Sequence, residues 1–220
     1  MRVPGVRNMH RARFSRMKPT YFMVSVNRMS PAFSKKFFLY GLAIAALEEF
    51  ITQGVLKESY FLWIFTLLPF AVFLGLAGCV WAVLHNFAAG WLAVVPYYLA
   101  AGTMGIAVEW FLIGLSPWSD RTSPAALIAV FHAGMFSFWG TVALAPRILL
   151  DSRPRVARLR RRFLRAFAFL GVVTYVLTFA AKIVAAENDA QFLASIGPII
   201  VTFLTMNVFY VQYFGSLDGF

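Results

Sequence analysis

The sequence predicts an all-α polytopic membrane protein with about six transmembrane helices and with both termini in the cytoplasm. Three observations carry this. First, 60% of the 220 residues are hydrophobic and 13% are charged, whereas soluble domains are roughly 25% charged and about 45–50% apolar. A soluble fold of this length could not hide so much apolar surface, so lipid is the natural solvent for the excess. Second, the apolar residues gather into six stretches near 37–56, 60–84, 91–115, 124–146, 164–185 and 192–213. Each is close to the ~20 residues a helix needs to cross a bilayer. Third, the Lys and Arg residues collect in two segments that flank these stretches.

Turn chemistry separates the spans. Lys57-Glu58-Ser59 follows the first, and His85-Asn86 through Gly90-Trp91 follows the second. Ser116-Pro117-Trp118-Ser119-Asp120 follows the third, a segment from Arg147 to Arg165 the fourth, and Glu187-Asn188-Asp189 the fifth. Helices are required because every backbone polar group in lipid must be satisfied internally. A transmembrane barrel would need ~10-residue alternating segments, and these runs are apolar on all sides. Pro69, Pro96 and Pro198 fall inside spans two, three and six.

Orientation follows from the positive-inside rule. Residues 1–36 hold nine Lys/Arg and no Asp or Glu, and the 147–165 segment holds eight Arg. Four spans between them put both on one side, whereas an odd number would split them. The chain thus divides into a basic cytoplasmic arm (1–36), a six-helix domain (37–213) with a basic loop at 147–163, and a short tail (214–220). The arm reads as a disordered segment on anionic lipid, as an organelle-targeting peptide, or as a segment that precedes a true start at Met29. The net charge of +11 is thereby a topology signal and not a nucleic-acid footprint. The expected partners are anionic lipid head groups, at the arm and at Arg147–Arg165, and a further membrane protein. Tyr60, Trp63 and Trp118 should mark the outer interface, and Trp81, Trp91, Tyr210 and Tyr213 the inner one. Cys79, the single cysteine, excludes an intrachain disulfide and reads as a small packing residue.

Ionisable residues at span depth cost roughly 2.5–3.5 kcal/mol or more each and point to function. They are Glu48 and Glu49 in span one, Glu109 in span three, His132 in span four and Lys182 in span five. At 1.5 Å per residue all five fall in the outer half, while His85 lies about 18 Å from Glu49 at the inner surface. Glu49 and Gln53 share a helix face, Glu109 continues a Gly102–Gly105 stripe that admits a close partner helix, and Thr174, Thr178 and Lys182 form one polar stripe. Glu48, Glu49, Gln53, Glu109, His132 and Lys182 are therefore the candidate ligand-binding set around an outer-half pocket. Glu49, Glu109 and His132 are the candidate metal ligands, and Glu48, Glu49 and His132 the candidate catalytic groups. The metal and any other cofactor are unspecified.

Glu48-Glu49-Phe50-Ile51-Thr52-Gln53-Gly54 resembles the first motif of the CPBP family of intramembrane peptidases, with Trp81–His85 and His132–Phe136 as counterparts of its later motifs. Gln53 stands where that family has arginine, Trp81 where it has phenylalanine and Phe136 where it has asparagine. The resemblance implies that Glu49 activates water and that His132 helps to hold a metal or an oxyanion. Glu109–Trp118, with Gly134–Trp139 and Pro146-Arg147, is similar to uncharacterised bacterial multi-pass inner-membrane proteins, which implies an inner-membrane location and no particular activity. Three functions stay open: a protein that binds or moves a cation, a proton or a small polar ligand; an intramembrane acid–base or metal enzyme; and a non-catalytic subunit of a membrane assembly.

Overall fold

The computed structural model describes residues 31–113, 125–184 and 189–217. Expectations for the basic arm before Pro31, for Trp118, Asp120 and Arg121, and for Glu187 lie outside the described residues. Six helices follow one another. They are α1 (Pro31–Glu49), which runs on as a π-helical segment over Phe50–Leu56, α2 (Tyr60–Phe87) and α3 (Trp91–Val108), which ends in a second π-helical segment over Glu109–Ile113. Then come α4 (Ala125–Leu150), α5 (Pro154–Val184) and α6 (Asp189–Leu217). All six are long and apolar enough to cross a membrane, and no strand occurs among the described residues.

Successive helices run in opposite directions. Lys182 of α5 meets Val55 beyond α1 at one end, and Gly90 lies beside the Leu217 carbonyl at the other. The second end carries the arginines; the first is called the far end below. Helix α4 is the hub, packed against α1, α3 and α6, whereas α5 rests mainly on α6. Thr174 and Thr178 are buried, and the Thr174 hydroxyl lies 2.7 Å from that of Thr202 on α6. That polar stripe fastens α5 to α6 instead of lining a pocket. The helices run through Pro69, Pro96, Pro146 and Pro198 without a break.

The Arg147–Arg165 segment is helix for most of its length, not the loop expected from its charge. Helix α4 continues to Leu150, and α5 begins at Pro154 after three residues. Proline suits the first turn of a helix. Val156, Leu159 and Phe163 form a buried stripe among the arginines, while Arg155, Arg158, Arg161, Arg162 and Arg165 face outward. Arginine is a good helix former, so an apolar face at helical spacing was enough to order the run. Arg147 turns inward, its guanidinium carbon 3.1 Å over the Trp81 ring. Trp81, Tyr210 and Tyr213 are likewise buried, and they do not form the interfacial belt that their positions suggested. Tyr60 and Trp91 are exposed. Cys79 is exposed as well, not packed inside.

Asp151 holds the corner between α4 and α5. Its carboxylate accepts from the Arg153 backbone N–H at 3.0 Å, from the Arg153 guanidinium and from the Tyr213 hydroxyl at 3.0 Å. Burial alone would push this carboxyl up, but the bonds from Arg153 and Tyr213 outweigh it and hold it below the ordinary aspartate value. A depressed acid contributes stability that is present above its unfolded value and is lost as the pH falls through its folded one. The corner should therefore loosen below about pH 4. Faster amide exchange at Val156, whose N–H bonds the Arg153 carbonyl at 3.0 Å, would report this, and Asp151→Asn should lack the acid step.

Candidate functional site

Glu49 sits where α1 passes into its π-helical segment, and Glu109 where α3 passes into its own. A π-turn inserts a residue into the helical ladder, re-aims the side chains around it, and is frequent at functional sites. The carboxylate of Glu49 meets the Thr52 hydroxyl at 3.5 Å and the side chains of Gln53 and Thr66. Thr66 comes from the far-end part of α2, which is held against α1 by the Trp63 indole donating to the Ala46 carbonyl at 2.9 Å. Glu109 is 4% exposed and accepts from the Trp139 indole N–H at 3.0 Å.

Gly102 and Gly105 make that bond possible. A Cβ on Gly105 would lie 1.9 Å from Trp139 Cγ, and one on Gly102 would lie 2.5 Å from a ring carbon of Phe136. The expected close approach on this stripe is thus made by the aromatic side chains of α4. Trp139 is fixed on its other faces by Phe70, stacked at 4.6 Å, and by Phe73, edge-on at 4.6 Å.

Glu48, Glu49 and Glu109 are near enough for their charges to act on one another. Lys57, exposed at the end of the π-segment, attracts Glu48 and Glu49 from a distance. None of the three carboxyls makes an ion pair among the described residues. The structure thus unites Glu48, Glu49, Gln53 and Glu109 of the sequence-derived set.

The other candidates lie elsewhere. Lys182 donates to the Val55 carbonyl at 2.7 Å and to Glu58, so it clasps the turn beyond the π-segment instead of entering the cluster. Its bond holds the Glu58 carboxyl below the usual range. Glu58 has φ 54°, a conformation uncommon outside glycine, and the clasp stabilises it. Lys182→Met should speed amide exchange at Lys57 and Ser59, whose N–H groups bond Thr52 and Gln53, with little change in global stability.

His132 contacts Trp110 edge-on at 6.0 Å and bonds the Ile128 carbonyl through Nδ1 at 2.8 Å. Among the described residues no three His, Cys, Asp or Glu side chains are placed to hold one metal ion. The set Glu49, Glu109 and His132 is therefore not assembled as ligands. His85 stacks on Trp81 at the arginine-rich end. It is nineteen residues along α2 from Thr66, about 28 Å away, so the peptidase-like motifs do not converge.

Sequence reasoning missed Thr66 and Trp139. The glycine stripe showed where a helix would approach but not which side chain would fill the space. No protein-family model, curated protein or solved structure matches the chain.

Proposed function

We propose that this is a multi-pass protein of the bacterial inner (plasma) membrane that moves protons across it, with the far-end carboxyl cluster as the proton-binding site. One observation carries the reading. Three acidic side chains from two helices are gathered in an apolar bundle with no ion-pair partner among the described residues. Like charges at that spacing in a medium of low dielectric need a compensating positive charge. No convergent ligand set for a metal occurs among the described residues, and a shared proton supplies the charge. Gln53 and Thr66 beside the cluster are only partly buried, and protons would enter from this far end. Orientation follows from charge: the far end faces outward, and the arginine-rich end and both termini face the cytoplasm. There the outward-facing arginines of α5 suit anionic head groups.

The test is a liposome assay. Purified protein is reconstituted around a pH-sensitive dye, and a potassium diffusion potential drives protons inward. Wild type should acidify the lumen faster than empty liposomes do, and Glu48→Gln/Glu49→Gln/Glu109→Gln should not. Wild-type flux equal to that of empty liposomes, or flux unchanged in the folded triple variant, would overturn the proposal.

A further inference from the structure

Helix α5 carries a second surface at the end opposite the carboxyls. Seven arginines fall between Arg153 and Arg165. Two of them brace the corner. Arg153 bonds the Asp151 carboxylate, and Arg160 Nη1 donates to the Asp151 carbonyl at 2.9 Å. The other five, Arg155, Arg158, Arg161, Arg162 and Arg165, are exposed. At about 100° per residue they occupy roughly a third of the helix circumference, in one file about 15 Å long. Among the described residues no Asp or Glu makes an ion pair with Arg158, Arg161, Arg162 or Arg165. The buried stripe of Val156, Leu159 and Phe163 fastens the other side of the helix to the bundle, with Phe163 edge-on to Phe209 at 5.8 Å. The file is therefore presented rigidly. Membrane sidedness asks only that positive charge be present, and a loop supplies it as well as a helix does.

On the membrane reading proposed above, the file is also too long for lipid alone. Lys182 lies at the far interface, where it holds Glu58. A hydrocarbon layer of about 30 Å takes about 20 residues of helix, which from Lys182 reach back to Arg162. Arg162 and Arg165 thus meet the head groups, a layer only about 5–7 Å deep. Arg158 and Arg155 lie about 6 and 10 Å farther along the axis. Side chains lean toward a helix N-terminus, which for α5 points away from the membrane. A guanidinium fork matches a carboxylate bidentately. Rungs at 155, 158 and 162 repeat the spacing at which side chains share a helix face. Phe163 is the one aromatic residue between Pro154 and Arg165, and it is buried, so this face offers no ring on which a nucleic-acid base would stack.

We propose that the cytoplasmic rungs of this file, Arg155 and Arg158 with Arg161, dock the acidic face of a helix from a cytoplasmic partner protein. The proposal rests on the orientation given above and is independent of proton movement.

Fluorescence anisotropy of a labelled synthetic helix, added to the full chain in nanodiscs, tests it. A nanodisc exposes both faces of the protein, so the result does not depend on orientation in the cell. The probe carries Glu along one helix face, and a control peptide of the same composition has its Glu residues spread around the helix. In discs containing phosphatidylglycerol the patterned probe should bind about fivefold more tightly than the control, the effect of two or three exposed ion pairs. Arg155→Gln/Arg158→Gln should remove this preference, and Arg162→Gln/Arg165→Gln, which deletes the same charge, should leave it. Arg155→Lys/Arg158→Lys, which keeps the charge without the fork, should reduce it in part and serves if the glutamine variant fails to fold. A diazirine on the probe should cross-link to residues 154–165. Equal binding of the two peptides, equal effects of the two glutamine variants, or cross-links confined to residues 1–30 would overturn the proposal. Tighter binding of a short single-stranded oligonucleotide, with the same dependence on Arg155 and Arg158, would assign the surface to nucleic acid and overturn it as well.

Discussion

Gly105→Ala should be among the most destabilising single changes in this protein. The substitution adds one carbon, but that carbon would sit 1.9 Å from Cγ and 2.2 Å from Cβ of Trp139. Neither atom belongs to a flexible tip. Trp139 is 1% exposed and is wedged by Phe70, Phe73 and Phe138, so α3 and α4 must separate. Overpacking of this kind costs about 1–3 kcal/mol, and the short distance places Gly105→Ala near the top of that range. The expected result is a large fall in unfolding temperature in detergent, or a broadened size-exclusion peak. Gly171→Ala is the matched control, because nothing lies within 4 Å of its added carbon. Equal behaviour of the two variants would mean that α3 and α4 do not meet through Gly105 and Trp139.

Glu49→Gln should have the largest effect on transport. Glu49 joins the π-segment to α2 through Thr52, Gln53 and Thr66, and an amide at this position keeps the size of the side chain while losing its proton chemistry. Removing a positioned proton-transfer group typically costs a factor of 10² or more, so liposome flux should fall by about a hundredfold. Trp139→Phe should give an intermediate loss, because Phe keeps an aromatic ring in place but cannot donate to Glu109. Its role is positioning, and the readout that separates it from mere packing is rescue by Trp139→His, which restores a ring N–H. Lys182→Met, which removes the bond to the Val55 carbonyl at the outer end of the same π-segment, should leave flux close to wild type. If Glu49→Gln and Lys182→Met lower flux equally while both stay folded, the effect belongs to the π-segment as a whole and not to the carboxyl.

Much of this architecture was legible from hydropathy alone. The six helices long and apolar enough to cross a membrane, and their approximate limits, could be read from the length of the apolar runs. The shared face of Glu49 and Gln53 could be read from helical spacing, whereas depth put Glu109 only in the same half as Glu48 and Glu49, nearer the outer surface. Other features were hidden for physical reasons. The arginines after Leu150 looked like a loop because charge was weighed above the Val156, Leu159 and Phe163 stripe. Lys182 has the depth of a site residue, but a long side chain at a helix end reaches outward, and here it ends on Val55 and Glu58. His132 has the right depth too. Depth does not specify rotation about the helix axis, and the ring lies beside Trp110. Trp81, Tyr210 and Tyr213 passed for interfacial aromatics because a sequence does not reveal that Arg147, Thr141 and Asp151 wait inside to meet them.

The central claim is that the Glu48, Glu49 and Glu109 cluster holds a proton. Infrared spectroscopy tests it most directly, since a protonated carboxyl in an apolar site has a C=O stretch distinct from that of a carboxylate. Wild-type protein in nanodiscs, measured at neutral pH against Glu48→Gln, Glu49→Gln and Glu109→Gln, should show such a band. It should weaken or shift in the single variants and vanish in the triple variant. A spectrum in which all three residues are carboxylates at neutral pH, with no band lost on substitution, would contradict the account.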